Sequence, residues 1–225
     1  MKERESNVLS LLEDKTNIYA RKIALGMKTQ FGWKELTYDG LGLMSRRLAA
    51  YLMNDLGIQR GEKLAILSES KPEYGVCVFA SVISGLITVP LDIKLTKYEL
   101  QSILTDCLPS VMLVSQSYID KALELQKVIP SLKHIIVMDE HPVNENLQSI
   151  YTIPNNYTCK WRHRSRKSVV FIIYTSGTTG NPKGVETTFG NMLAQLKDLK
   201  TAFNQILPYG DVRVLSILPM NHLFE

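Results

Sequence analysis

The stretch YTSGTTGNPKGV, Tyr174 to Val185, holds three glycines, four hydroxyl residues after its tyrosine and one lysine in twelve positions. Small residues expose backbone N–H groups, hydroxyls add donors and a lysine adds a point charge, a combination suited to a phosphate chain. Gly177, Gly180 and Gly184 would let backbone approach the phosphates, Thr175, Ser176, Thr178 and Thr179 would donate hydrogen bonds, and Lys183 would supply charge. The spacing is not that of the P-loop G-x-x-x-x-G-K-[ST]. Counted from Gly177, Pro182 stands where the second glycine belongs and Gly184 where the Mg-binding hydroxyl belongs. The dinucleotide pattern G-x-G-x-x-G is absent, and the loop leads into the β-prone segment GVETT rather than directly into a helix. It is therefore a hydroxyl-rich phosphate loop of another kind.

The loop needs a scaffold, and the flanking pattern describes one. LTYDGLGLMSRRLAAYLMNDLG carries Leu41, Met44, Leu48, Leu52 and Leu56 at helical spacing and ends in Gly57. A strand follows at Leu64–Leu67. SKPEYGVCVFASVISG is predicted as a helix with Ser70 as N-cap, Pro72 in the first turn and Glu73 completing a capping box. LITVP, VMLVS and HIIVM read as further strands. Between them lie two helices, one opened by the Thr96–Glu99 box and one by Ser117 and Asp120 at the same spacing. From about residue 139 to residue 167 the pattern dissolves into a polar surface connection. SVVFIIYT is a buried strand that delivers the loop. The following helix places Phe189, Met192, Leu193, Leu196, Leu199 and Phe203 on one face, and RVLSILP is expected to be a last strand. Continuous apolar strands alternating with amphipathic helices indicate a doubly wound α/β unit, mostly parallel sheets with helices on both faces.

Composition narrows the class. With 225 residues, 45% hydrophobic and 21% charged, the chain is long enough for a real core. Cys77, Cys107 and Cys159 are far apart and odd in number, which argues against a disulfide framework. None has zinc-like spacing, and the four histidines do not cluster with them, so no metal held by Cys and His is expected. The N-terminus MKERESNVLSLLEDK lacks the apolar stretch of a signal peptide. YGVCVFASVISGLITVP, 17 residues with Gly, Ser and Thr inside, fits a buried helix followed by a strand better than a membrane span. The basic run KWRHRSRK reads as a solvated linker face, with attraction to an anionic lipid surface as the alternative. Nucleic acid is not expected as a partner at a net charge of +4.

YTSGTTGNPKGV resembles the signature loop of the adenylate-forming superfamily, which includes acyl-CoA synthetases, peptide-synthetase adenylation domains and luciferases. LTYDGL, GLITVPLD and LPMNHLFE resemble further motifs of that family in the same order, so the resemblance covers nearly the whole chain. It implies a two-step reaction. A carboxylate attacks the ATP α-phosphate, giving an acyl-adenylate and pyrophosphate, and a thiol, usually coenzyme A, then takes the acyl group. ATP, Mg²⁺ and coenzyme A are the implied cofactors. Thr175, Ser176, Gly177, Thr178, Thr179, Gly180, Lys183 and Gly184 are the implied nucleotide-binding residues, with Lys183 and His222 in catalytic roles and no metal ligand assigned. His222 would orient the carboxylate or gate an acyl tunnel, and Glu225 belongs to the same motif. Where the family commonly has Thr-His-Gly-Asn after the loop, this chain has Thr188-Phe189-Gly190-Asn191; Phe189 either removes a polar contact or simply fits the apolar face of the next helix.

The HLFE ending favours a fatty acid over an amino acid, hence a long-chain fatty acid–CoA ligase type of enzyme, cytoplasmic and in contact with a membrane surface at most peripherally. An acyl-AMP or acyl-carrier-protein ligase would share every residue seen, and a non-catalytic nucleotide-binding remnant is the alternative of another class. Residues 1–225 are expected to be the N-terminal portion of the large adenylate-forming domain, truncated before its remaining parts and its C-terminal domain. By itself this chain is expected to be inactive, because adenylation depends on holding both reactants in near-attack geometry, worth roughly 7–11 kcal/mol. The check is thioester formation by purified residues 1–225 with ATP, Mg²⁺, palmitate and coenzyme A, after circular dichroism has confirmed folding. Turnover on the order of 1 s⁻¹ or more would contradict the expectation.

Overall fold

The computed structural model describes residues 8–140, 144, 146–156, 159, 164–175, 182–206, 213–216 and 220, without the side chains of 8–12 and 204–206. After α1 (Val8–Ile18) the chain forms a hairpin that the sequence reading did not anticipate, β1 (Ile23–Thr29) paired antiparallel with β2 (Gly32–Thr37). Its inner side carries Leu25 and Leu36 against the core, while Trp33 stays exposed. That alternation was the available signal. α2 (Tyr38–Asn54) starts where Thr37 Oγ1 accepts the Gly40 N–H at 3.1 Å, and it ends before Gly57.

The main sheet contains β3 (Lys63–Leu67), β4 (Ile87–Leu91), β5 (Val111–Val114), β6 (His134–Val137), β7 (Gln148–Ser149), β8 (Val169–Thr175) and β9 (Lys183–Thr188). Their spatial order is β7-β6-β5-β3-β4-β8-β9, and every neighbouring pair is parallel except β8 with β9. α3 (Pro72–Ser84), α4 (Lys97–Cys107), α5 (Ile119–Val128) and α6 (Phe189–Ile206) complete the unit. Successive strand residues alternate between faces. Leu64 and Ile66 join one core with α2, α3 and the start of α6, whereas Ala65 and Leu67 join the other with α4 and α5. Each fully buried aliphatic side chain contributes about 1.5–3 kcal/mol to folding. The expected doubly wound α/β arrangement is observed.

Several local expectations change. The N-cap of α3 is Lys71, without a side-chain cap, rather than Ser70. Pro72 forces the residue before it into extended backbone, so the helix boundary falls one residue later. Ser70 Oγ instead accepts the Met220 N–H at 3.0 Å. Ser117 and Asp120 make no capping box: Gln116–Tyr118 is a 3-10 turn and α5 begins at Ile119. The Thr96–Glu99 box is present as expected. The polar connection is less superficial than its composition suggests, since it contains β7 and buries Ile150 and Ile153. Residues 213–216 of RVLSILP form no strand, and Val214 and Leu215 are exposed. Apolar composition makes a strand only where backbone groups find a ladder partner.

The strand ends are joined by charge. Behind β3 and β5, whose outgoing connections run to opposite sides of the sheet, Lys71 Nζ binds Asp139 Oδ1 at 2.5 Å. Asp139 Oδ2 accepts the Gln116 N–H at 2.7 Å, and Ser115 Oγ donates to Glu69 at 2.5 Å. Burial alone would lower the Lys71 ammonium, but the hydrogen bond and charge of Asp139 outweigh it and hold it above its ordinary value.

In KWRHRSRK, Ser165, Arg166 and Lys167 are exposed, as a solvated face requires, and Arg164 is the exception. Residues 160–163 of that run lie outside the described residues, but Arg164 is buried, 4% exposed. Its Nη2 donates to the carbonyls of Gly85 at 3.0 Å, Leu86 at 3.3 Å and Val169 at 3.3 Å, tying the turn before β4 to the root of β8. That turn closes α3 through Gly85 at φ 84°, left-handed backbone that glycine adopts without strain. Burial, with Arg60 adding repulsion, lowers the Arg164 guanidinium to about 10, so it remains charged at neutral pH. Arg164→Lys keeps the charge but loses the planar fork. It is expected to lower stability by about 1–3 kcal/mol, read as a fall in the denaturation midpoint at unchanged slope. An unchanged midpoint would show that the staple is dispensable.

Candidate functional site

β8 and β9 are an antiparallel pair whose register sets Thr175 opposite Lys183, Tyr174 opposite Gly184 and Ile173 opposite Val185. The chain between Thr175 and Lys183 is the glycine- and hydroxyl-rich loop, so its two ends are held on adjacent strands about 5 Å apart. Ser176, Gly177, Thr178, Thr179 and Gly180 lie outside the described residues, as do His222 and Glu225. Of the residues singled out from sequence, the structure brings together Thr175, Lys183 and Gly184. All three are exposed at the far end of the pair.

Directly opposed residues of an antiparallel pair share one face. Ile173 belongs to the α3 side and Tyr174 to the α4 side, so Thr175 and Lys183 project together on the first and Tyr174 with Gly184 on the second. The Thr175 hydroxyl and the Lys183 ammonium thus form a donor pair in water, open to an anion.

The root of this arm is rigid for identifiable reasons. Phe171 is 1% exposed, and the β4–β8 ladder consists of one bridge pair, Thr88 with Phe171. Pro90, which has no N–H to donate, stands two residues further along β4. The C-terminal half of β8 therefore takes its register from β9. Beyond β9 the chain enters α6 through a reciprocal cap. Asn191 Oδ1 accepts the Thr188 N–H at 3.0 Å, and Thr188 Oγ1 accepts the Asn191 N–H at 3.2 Å. Phe189 is buried, 1% exposed, and its N–H donates to Ser168 O at 2.8 Å. The packing alternative for Phe189 is the one observed.

Gly184 has a packing reason of its own. A Cβ there would stand 2.8 Å from Ile172 Cγ2 and 3.1 Å from Tyr174 Cζ. The tyrosine ring occupies the space a side chain would need, and its hydroxyl donates to Asp106 Oδ2 on α4. Burial raises the Tyr174 phenol, reinforced by Asp106 and Cys107, so the proton stays on oxygen. Burial, then the charge of Asp106, pushes the neighbouring Cys107 thiol up to about 12. The Tyr174–Asp106 contact has no signature in the sequence. It joins positions 68 apart, and nothing local to α4 marks Asp106 among its polar neighbours.

The chain matches the AMP-binding enzyme family over residues 12–225. It is 28% identical to the human long-chain-fatty-acid–CoA ligase ACSBG1, an alignment covering 91% of this chain and 30% of that protein. It is also 28% identical to the long-chain-fatty-acid–CoA ligase of Salmonella typhimurium, covering 99% of this chain and 44% of that one. The chain thus spans less than half the length of these curated relatives. A solved structure from Rhodopseudomonas palustris, described as a candidate long-chain-fatty-acid CoA ligase, superposes with a TM-score of 0.81 at 22% identity, over 96% of this chain and 52% of that one.

Gly184→Ala is expected to displace the Tyr174 ring and destabilise the arm by about 1–3 kcal/mol. The check is the thermal midpoint together with near-ultraviolet circular dichroism of the tyrosines. A wild-type midpoint and spectrum would show that the ring can yield at no cost.

Proposed function

We propose, from the premise that this chain belongs to the AMP-binding enzyme family, that it carries the phosphate-handling part of a ligase that adenylates a fatty acid and passes the acyl group to coenzyme A. Adenylate-forming acid ligation is the family's chemistry. The fatty acid and the thiol are the finer reading, supported by the names of the relatives and by the LPMNHLFE motif.

The observation that carries the reading is the pairing of Thr175 with Lys183 at the mouth of the signature loop. In the proposed mechanism ATP lays its β- and γ-phosphates along the loop. The Thr175, Ser176, Thr178 and Thr179 hydroxyls and the backbone at Gly177, Gly180 and Gly184 donate hydrogen bonds, while Lys183 Nζ supplies a fixed positive charge. As the carboxylate attacks the α-phosphate, negative charge grows on the departing pyrophosphate, and donors already in place stabilise it without reorganising. His222 would orient the carboxylate. No three carboxylate, imidazole or thiolate groups come together among the described residues.

Among the described residues no helix is long and apolar enough to cross a membrane. We place the reaction in the cytoplasm, where ATP and coenzyme A are available.

In the protein that contains this chain, Lys183→Ala is expected to lower ATP–pyrophosphate exchange by about 10²-fold, the scale of one preorganised charge contact. Unchanged exchange would sink the assignment of the loop. Hydroxamate trapping should respond to medium or long fatty acids, and a response confined to amino acids would reject the substrate class.

A further inference from the structure

The hydrogen bond from Tyr174 to Asp106 lies outside every role assigned above, yet it sits one residue from the loop. Three observations give it a purpose. The β4–β8 ladder is a single pair at Phe171, so the last residues of β8 have no ladder pair with β4. Among the described residues β9 is an edge strand, bonded only to β8. A two-stranded ribbon alone is marginally stable and twists freely, so the direction in which its tip points needs a further anchor. Asp106, in the last turn of α4, supplies one. It belongs to a helix whose Leu100, Ile103, Leu104 and Cys107 are all buried in the second core.

The two faces of the ribbon divide the labour. Thr175 and Lys183 project on one face, Tyr174 and Gly184 on the other, so the tether leaves the proposed phosphate side clear. Gly184 is part of the same device, because a Cβ at that position would push the ring aside and take the hydroxyl away from Asp106. The phenol remains protonated and able to donate, its ionisation opposed by burial and by the adjacent carboxylate.

We propose that Tyr174 is a positioning residue, whose hydroxyl, given to Asp106 on α4, fixes the angle of the β8–β9 arm and thereby the place of Lys183 over the reacting phosphates. The inference rests on the reading that the loop holds ATP, and it deepens that reading by naming what aims the loop. Misplacement of a catalytic group by about 1 Å can cost up to two orders of magnitude in rate. Loss of one of several anchors falls below that.

The experiment uses the protein that contains this chain and four variants: Tyr174→Phe, Asp106→Ala, Asp106→Asn and the double variant Tyr174→Phe/Asp106→Ala. Tyr174→Phe keeps the ring over Gly184 and removes only the hydroxyl. It is expected to reduce kcat for ATP–pyrophosphate exchange about tenfold with the KM for the carboxylate unchanged. Asp106→Ala should match it, the double variant should be no worse than either, and Asp106→Asn, which keeps an acceptor, should recover most of the rate. Wild-type kcat in Tyr174→Phe, or losses that multiply in the double variant, would overturn the tether. Backbone amide exchange of the ligand-free proteins separates this inference from the functional reading. Faster exchange across residues 175–183 in Tyr174→Phe, with the rest of β8 unchanged, is expected even if no carboxylate supports pyrophosphate exchange. Identical exchange in both proteins would defeat the proposal whatever the substrate.

Discussion

β8 is paired on both sides at its root and on one side at its end, and the proposed site depends on that difference. At its root it is a buried strand beside β4, with Phe171 sealed in the core and Arg164 gathering the carbonyls around Val169. β9 pairs with it antiparallel from Val169 to Thr175, and at its end that is the pairing left to it. A strand buried on both faces has no place for an exposed, glycine-rich loop, because its backbone groups would go unsatisfied. With no ladder pair to β4 after Phe171, β8 carries the loop at an exposed end while its own base stays fixed. Rigidity is inherited from the sheet, and access is gained from the hairpin.

This arrangement explains why the loop differs from a nucleotide loop that opens straight into a helix. There a helix N-terminus supplies the oriented N–H groups. Here the loop returns as a strand, and α6 begins only at Phe189, after the reciprocal Thr188–Asn191 cap. In the proposed site, donors would come from the loop's own backbone, its hydroxyls and Lys183. On this proposal, the density of threonine and serine in the loop follows from that need.

Much of the fold was legible because it rests on local signals. Buried parallel strands such as VMLV and HIIV are continuous apolar runs, and the Thr96–Glu99 box starts a helix where it was expected. The failures have physical causes. Pro72 moved a helix boundary past Ser70. The β1–β2 hairpin has short, half-exposed strands whose alternation is weak, and nothing in KWRHRSRK sets Arg164, which gathers the carbonyls of distant residues, apart from its solvated neighbours. In the proposed site, residue types and spacing marked Thr175, Lys183 and Gly184, which the β8–β9 register brings together. What aims them was not marked, since Tyr174 and Asp106 meet only through the packing of α4 on β8. Local sequence carries donors and charge; the tertiary fold carries direction.

The central claim is that the tip of this arm binds the phosphates of ATP. The most direct test is the rate at which a water-soluble amine reagent labels each lysine, read by peptide mass spectrometry with and without ATP and Mg²⁺. Lys183, exposed at the start of β9, should be strongly protected by ATP and by pyrophosphate, while Lys28, Lys94 and Lys97, exposed elsewhere, keep their rates. Unaltered labelling of Lys183 at saturating ATP, with protection appearing on other lysines instead, would contradict the account.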